Sequence, residues 1–308
     1  PPLTPPMPSR SPVPRLPVPA WVLAVAAMTS VQLGSALSVP LISVVGPAGT
    51  AWLRLSMGAV IFLILARPPL RQVRRTDLPA LLGLGVATGM VTMSFLAAIE
   101  RIPLGTAVAI EFLGPLTVAA VRSHSRRALA WPALAAVGVV LLTEPWQGTI
   151  NLAGVGFALL AAVGWGTYIV LTQRIGDRFD GISGLSLTIP IAALTAAVFG
   201  IPQAAGHITP QVLLAALGLA LLLPVLPFAL ELLALRHMNP AAFGTLMAVE
   251  PALGVTLGLL VLNQVPTGSQ IFGIILVVLA GTAAQLTGGR RVRPPTTGEP
   301  TSELDLIG

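Results

Sequence analysis

Long apolar runs, separated by short polar or Gly/Pro-rich segments, follow one another through most of the chain. A helix needs about 20 apolar residues to cross a hydrocarbon layer of about 30 Å. The pattern therefore predicts ten membrane-spanning helices, at 20–45, 50–66, 78–99, 104–121, 129–145, 152–172, 182–200, 211–235, 240–262 and 268–287. Because lipid offers the backbone no hydrogen-bond partners, such runs favour helices, and the predicted fold class is all-α integral membrane.

Two stretches of this pattern resemble each other. Residues 97–115 read AAIERIPLGTAVAIEFLGP and residues 233–251 read LALRHMNPAAFGTLMAVEP, and a shift of 136 positions superposes Pro115 on Pro251. The ten helices would then form two five-helix repeats, which are inverted relative to each other because five is odd. The predicted domains are a disordered Pro-rich tail at 1–19, repeats at 20–145 and 152–287, and a disordered tail at 288–308.

The arginines indicate how these helices are oriented. Basic residues of short loops stay on the cytoplasmic side of a membrane. With the N-terminus inside, fifteen arginines fall in cytoplasmic segments and only Arg101 falls in an outer one. The pattern thus predicts that both termini are cytoplasmic.

Composition excludes several classes of protein. Charged residues make up 9% of the chain, against roughly 25% in soluble domains, and the mean hydropathy is +0.88. The net charge of +6 comes from scattered arginines, so no nucleic-acid partner is expected. The chain has no cysteine, and His124, His207 and His237 lack metal-ligand spacing, so we expect neither a metal site nor another cofactor.

Four charged residues fall inside the predicted spans, namely Arg54, Glu111, Glu231 and Glu250. A charge at the bilayer centre costs roughly 2.5–3.5 kcal/mol, so it is retained where it is paired, hydrated or needed. We interpret the four as candidates for substrate binding or ion coupling. The alternative for each is a buried ion pair or a hydrogen bond between helices.

The spacing of the repeats relates two of these charges. Glu250 superposes on Gly114, three residues after Glu111, and helical positions three apart share a face, so both carboxyls can face one central cavity. Pro115 and Pro251 each remove a backbone donor, which leaves a carbonyl oxygen free. Free carbonyls and glutamates would suit an ammonium group. The alternative is that the prolines only kink helices whose carbonyls bond Ser, Thr or water.

Trp165 and Tyr168 lie three apart near the middle of the sixth span, and Gln32 lies in the middle of the first. A buried hydroxyl or amide needs a partner, so all three are candidates to line the cavity. Packing between helices is the alternative for each. Pro224 and Pro227 are expected to bend the eighth span just before Glu231.

Five stretches carry a resemblance to a known family: SVQLGSAL (30–37), AWLRLSMG (51–58), IPLGTAVAIEFLGPL (102–116), WGTYIVLTQRIG (165–176) and LPFALELLALRHMNPAAFGTLMAVEPAL (226–253). There the chain resembles the EamA-type transporters of the drug/metabolite transporter superfamily, most closely the bacterial inner-membrane threonine and homoserine exporters. The resemblance implies two inverted EamA repeats and proton-driven export of small amino acids or related metabolites across that membrane. In one respect the chain departs from the family, where an acidic residue often follows in a Leu-Gly-Glu turn: here the sequence is Leu262, Asn263, Gln264.

The resulting hypothesis is a secondary exporter in which Glu111 and Glu250 bind a substrate ammonium group or a proton, while Arg54 or the start of a broken helix meets the carboxylate. One alternative keeps the fold but changes the cargo to lipophilic cations, drugs or another metabolite. A non-transporting membrane scaffold is another. An intramembrane enzyme is disfavoured because the spans contain no HExxH motif, Asp pair or nucleophilic serine constellation. The sequence leaves open whether the protein is a monomer or a homodimer.

Overall fold

The computed structural model describes residues 18–66, 68, 70–122, 126–147, 151–175, 181–238 and 240–288. Its helices are α1 (Ala20–Leu65), α2 (Leu78–Ile99), α3 (Leu104–Glu111), α4 (Leu113–Arg122), α5 (Ala130–Thr143), α6 (Leu152–Ile175), α7 (Gly181–Ala204), α8 (Pro210–Ala220), α9 (Leu226–Leu235), α10 (Pro240–Met247), α11 (Glu250–Leu262) and α12 (Gly268–Gly288). The predicted tails, apart from residues 18, 19 and 288, lie outside the described residues.

Within the described ranges, nine helical segments are long and apolar enough to cross a membrane, and no strand is present. This confirms the predicted all-helical integral membrane class. The bounds of α2 and α12 agree with the predicted spans to within one residue. Helix α7 is longer than predicted, because it continues through Pro202 to Ala204.

Helix α1 contains 46 residues, about 69 Å of helix, which is more than twice the hydrocarbon thickness. Gly46, with φ 72° and ψ 168°, interrupts it. Arg54 Nη1 donates a hydrogen bond to Ser38 Oγ at 3.3 Å, although sixteen residues of straight helix would separate the two by about 24 Å. The two limbs of α1 therefore fold back on each other. The predicted loop at 46–49 is wrong in extent, since helix resumes at Pro47, and proline is well suited to the first helical position.

Two residues hold this bend. Gln203 Oε1, on α7, accepts hydrogen bonds from Ala48 N at 2.7 Å and Gly49 N at 3.0 Å. These are first-turn amides of the second limb, which no helical carbonyl can satisfy. Gly46 adopts a left-handed conformation that favours glycine, and a Cβ there would lie 2.1 Å from Gln203 Cδ.

The remaining helices pack through small residues. Helix α1 packs along α7, α2 packs between α6 and α7, α5 packs along α12, and α3 packs on α11. At the α5–α12 contact, a Cβ on Gly138 or Gly273 would lie 2.6 Å from the carbonyl oxygen of the other. Such close approach is typical of helix association in membranes, where dispersion contacts replace the hydrophobic effect.

Three predicted spans are interrupted. Helix α3 ends at Glu111 and α10 ends at Met247, four residues before Pro115 and Pro251, which have no N–H to offer those carbonyls. The third interruption is the π-helical segment Leu221–Val225, in which Leu223 has extended φ and ψ of −160° and 110°. The bend expected before Glu231 is thus present, and Pro224 lies within it while Pro227 lies in the first turn of α9.

Candidate functional site

Glu250 is the first residue of α11, directly after the break that separates this helix from α10. Its side chain is only 6% exposed. Gln32 Nε2, on the first limb of α1, donates a hydrogen bond to Glu250 Oε1 at 3.3 Å. Glu250 Oε2 and Gln32 Oε1 are buried without a hydrogen-bond partner among the described residues, so this contact leaves capacity for a ligand or a proton.

Glu111 lies at the corresponding break in the first half but before it, as the last residue of α3. Its carboxyl group is close enough to that of Glu250 for the two to repel each other when both are charged. The side chain is half-buried and makes no hydrogen bond within the described part of the chain. The structure therefore brings together the two glutamates that the repeat spacing relates.

Glu231 belongs to the same group. It lies on α9, is half-buried, and interacts electrostatically with both Glu250 and Tyr168. We call Glu111, Glu231 and Glu250 the acidic group. Like charges in a low-dielectric interior oppose each other strongly, so the group favours states in which protons or a cation reduce its charge.

The two aromatic candidates differ in their surroundings. Trp165 packs edge-on against Phe112, with ring centroids 6.3 Å apart, and belongs to an apolar cluster between α4, α5, α11 and α12. Phe112 is the residue at the break after Glu111, so Trp165 supports the break from its apolar side. Tyr168 packs beside Leu81 and Leu84 of α2, and its hydroxyl group interacts electrostatically with Glu231.

Arg54 lies apart from the acidic group. Its hydrogen-bond partner Ser38 is six residues beyond Gln32 on the same limb of α1, about 9 Å further along the axis towards Gly46. Arg54 is 4% exposed, and its Nε has no partner within the described ranges.

The helices around the acidic group are packed unequally. Towards the start of α3, that helix crosses α11 closely: a Cβ on Gly105 would lie 2.2 Å from Val255 Cγ2, and one on Gly254 would lie 3.0 Å from Val108 Cγ2. Towards the other end, α4 and α10 make at most isolated contacts in the described part of the chain. The helices beside the acidic group are thus closely packed on the side of Gly105, whereas α4 and α10 lie apart on the other side.

A separate groove of about 670 Å³ lies between α4 and α6. Its walls are mostly apolar, and its hydroxyls on Thr117 and Thr167 donate to carbonyls of their own helices. Val163 at its edge is 67% exposed, so the groove faces the lipid side of the bundle. It does not contain the acidic group.

The described residues contain no cluster of three His, Asp or Glu side chains placed to hold a metal ion. The acidic group itself has three carboxyls but is spread over α3, α9 and α11, and it has no histidine. What the arrangement can do is bind an organic cation or exchange a proton.

Comparisons with known proteins identify the family. Residues 152–283 match the EamA-like transporter family. The chain is 34% identical over 281 residues to "Threonine/homoserine exporter RhtA" of Salmonella typhimurium strain LT2, covering 88% of this chain and 93% of that protein. The chain belongs to the EamA-like transporter family. It is similarly 34% identical over 277 residues, with the same coverage, to the protein of that name from Escherichia coli strain K12.

A solved crystal structure matches this EamA-type chain with a TM-score of 0.58 at 20% identity, covering 87% of this chain and 97% of the other. That likeness concerns the fold alone. The exporter relatives and the membrane-length helices together make the protein a multi-pass membrane transporter of small molecules rather than an enzyme.

Gln264, where the sequence departs from the pattern expected of the family, has a defined role in the structure. Its Oε1 accepts a hydrogen bond from Leu104 N, the first amide of α3, at 3.0 Å. A carboxylate oxygen could accept the same bond, so the amide preserves this contact without its charge. Nearby, Glu144 at the end of α5 accepts hydrogen bonds from the hydroxyls of Thr267 and Ser269 at the start of α12. The loop between α11 and α12 is thereby attached to both α3 and α5.

Proposed function

We propose that this protein exports threonine, homoserine or closely related small amino acids across a bacterial inner membrane in exchange for protons. The observation that carries the proposal is the 34% identity, across 88% of the chain, to threonine/homoserine exporters. The acidic group supplies chemistry that fits it, because an amino acid presents an ammonium group and a proton competes for the same carboxyls.

We further propose that α1 crosses the membrane twice, which gives ten crossings in two inverted repeats at 20–145 and 152–287. The interruption at Gly46 and the fold-back shown by the Arg54–Ser38 contact support two crossings. A shift of 136 positions places α3, Leu104–Glu111, on α10, Pro240–Met247, with identical bounds, which supports the repeats. The arginine distribution supports cytoplasmic termini.

In the proposed cycle, Glu250 and Glu111 hold the substrate ammonium group in one state and protons in the other. Gln32 positions Glu250 by bonding one carboxyl oxygen and leaves the other for the ligand. Two free backbone carbonyls, those opposite Pro115 and Pro251, add acceptors beside the carboxyls. Glu231, nearer the cytoplasmic end of its helix, is suited to pass protons between Glu250 and the cytoplasm.

The breaks in the helices provide the movement. With the proposed orientation, the closely packed α3–α11 crossing is on the outer side, and the looser α4–α10 side faces the cytoplasm. Rocking of one five-helix half against the other would close the inner side and separate α3 from α11. The substrate would then be released outside. Protons would bind Glu111 and Glu250 in its place, and the protein would return to the inward-open state.

The test is transport of labelled threonine by the full chain in inside-out vesicles with an acidic lumen, where export appears as uptake. Wild type should accumulate threonine while the pH gradient lasts. Glu111→Gln and Glu250→Gln should each reduce this accumulation at least tenfold, because an amide neither carries the proton nor attracts the ammonium group strongly. Glu100→Gln is the matched control: it is the same chemical change at an exposed position, and full activity is expected.

Threonine counterflow without a pH gradient separates two roles. A variant that keeps counterflow but loses accumulation has lost proton coupling, whereas one that loses both has lost binding. Full gradient-driven accumulation by both glutamine variants would exclude the proposed exchange. Adding homoserine and a lipophilic cation as competitors distinguishes the proposed cargo from the alternative one.

A further inference from the structure

Arg54 is a buried cation that the proposed cycle does not yet use. The residue is 4% exposed, and its one hydrogen bond within the described ranges, to Ser38 Oγ, is long at 3.3 Å. The described residues include no carboxylate paired with it. A guanidinium has five N–H donors, so most of its donors remain available to an anion.

An interrupted helix lies against the same place. Gly34 on the first limb of α1 and Gly58 on the second both pack against the interrupted segment, Leu221–Val225. A Cβ on Gly34 would lie 3.2 Å from Leu223 Cβ, and one on Gly58 would lie 3.2 Å from Pro224 Cδ. Interrupted membrane helices are common at transport sites, because they present backbone groups and helix ends to a ligand.

Helical spacing places two polar side chains one turn beyond these contacts. Ser38 follows Gly34 by four residues and Arg54 precedes Gly58 by four, so each shares the face of its limb that packs on the interrupted segment. A buried, underused guanidinium and a hydroxyl therefore lie together, one helical turn from the contacts with the interrupted segment.

This place and the acidic group are held at different levels of α1. The anchoring positions Gln32 and Ser38 are about 9 Å apart along α1. In an amino acid the ammonium nitrogen and the carboxylate carbon are both bonded to one Cα and are about 2.5 Å apart. This spacing favours binding of the ammonium group and the carboxylate at different steps.

We propose that Arg54, Ser38 and the interrupted segment form a second subsite, which binds the carboxylate of the exported amino acid after its ammonium group has left the acidic group. It lies between the acidic group and the bend at Gly46, on the outer side in the proposed orientation. The inference rests on the proposed function and adds an order of events: the substrate is captured by its ammonium group and released through its carboxylate.

The binding test uses the purified full chain in detergent and three probes, with affinity measured from ligand-dependent thermal shifts. Threonine carries both charged groups, threoninol lacks the carboxylate, and 3-hydroxybutyrate lacks the ammonium group. Arg54→Met should weaken 3-hydroxybutyrate binding by about tenfold or more, the range expected for charge-assisted hydrogen bonds, and leave threoninol binding within about twofold. Glu250→Gln should weaken threoninol binding by about tenfold or more and leave 3-hydroxybutyrate binding within about twofold. Arg54→Lys keeps the charge but loses the planar guanidinium, so its affinity for 3-hydroxybutyrate should lie between those of wild type and Arg54→Met.

Transport gives an independent readout. In inside-out vesicles, Arg54→Met should leave the KM for threonine within about twofold and reduce kcat at least tenfold, because capture is intact while the later step is lost. Ser38→Ala should reduce kcat less. Arg236→Gln, at an exposed position near the end of α9, is the matched control and should behave as wild type.

Stability separates binding from a structural role. Without ligand, Arg54→Met should unfold at the same temperature as wild type or higher, because it removes a desolvated charge with a single weak partner. A lower unfolding temperature together with loss of all three probes would identify Arg54 as structural and overturn the subsite. Provided that the wild type exports threonine, the subsite would also be overturned if Arg54→Met kept the wild-type affinity for 3-hydroxybutyrate or the wild-type kcat. A wild type that neither binds nor exports threonine would instead overturn the proposed function itself.

Discussion

The crossing of α3 on α11 depends on Gly105, and a single methyl group there should have a measurable effect. In Gly105→Ala the new Cβ would lie 2.2 Å from Val255 Cγ2, 2.9 Å from Val255 Cα and 3.0 Å from Val255 N. Ordinary carbon contacts are about 3.5–4.0 Å, so the two helices would have to separate by roughly 0.5–1 Å. Overpacking of this kind costs about 1–3 kcal/mol, and the gain in helix propensity returns about 0.5–1 kcal/mol. We expect a net destabilisation of about 1–2 kcal/mol.

The measurement is the midpoint of thermal unfolding in detergent, compared between two identical chemical changes. Gly218→Ala in α8 is the control, because a Cβ there has nothing within 4 Å. It should raise the midpoint slightly through helix propensity alone, while Gly105→Ala lowers it by a few degrees. Adding Val255→Ala to Gly105→Ala should restore only part of the loss, since the clash with the backbone of residue 255 remains. If Gly105→Ala and Gly218→Ala shift the midpoint equally, α3 and α11 do not cross closely.

Three further predictions use the same measurement. Gln264→Glu should raise the midpoint, with a gain of about 0.5 kcal/mol, because a carboxylate can still accept from Leu104 N and also favours the start of α3; a lower midpoint would contradict the capping role. Glu144→Ala should lower it more than Glu144→Gln, because the alanine removes every side-chain acceptor for the start of α12, and equal values would argue against this attachment. Gln203→Ala should cost about 1 kcal/mol, the usual value of a lost helix cap, and an unchanged midpoint would show that water serves the bend equally well.

The membrane-spanning pattern could be predicted from sequence because it depends on local properties. The length of each apolar run gives the helices, as for α2 and α12, and the missing N–H of Pro224 gives the bend before Glu231. Glu111 and Glu250 could be related through the 136-residue shift, since the break after Glu111 and the break after Met247 follow from the same proline spacing.

Contacts between distant residues could not be predicted in this way. Nothing in the local pattern assigns Ser38 to Arg54, because their meeting depends on how sharply the chain turns at Gly46. Nor does it assign Gln203, more than 150 residues away, as the acceptor that stabilises that turn. The GPAG stretch is typical of a loop, and tertiary capping allows helix to resume at its second residue. The apolar run predicts that the Gln32 amide is buried, but its partner is fixed by the packing of α1 near α11.

Because α1 bends at Gly46, the number of residues between the bend and each partner decides whether Ser38 and Arg54 meet. Ser38 and Arg54 each lie eight residues from Gly46, one on either side. One residue inserted or deleted between the bend and either partner would rotate that side chain by about 100° around its helix, towards a different neighbour or the bilayer. Every amino acid type would be retained, yet the guanidinium would lose its hydroxyl. Length changes in these two limbs should therefore be tolerated far less well than substitutions of the apolar residues between them.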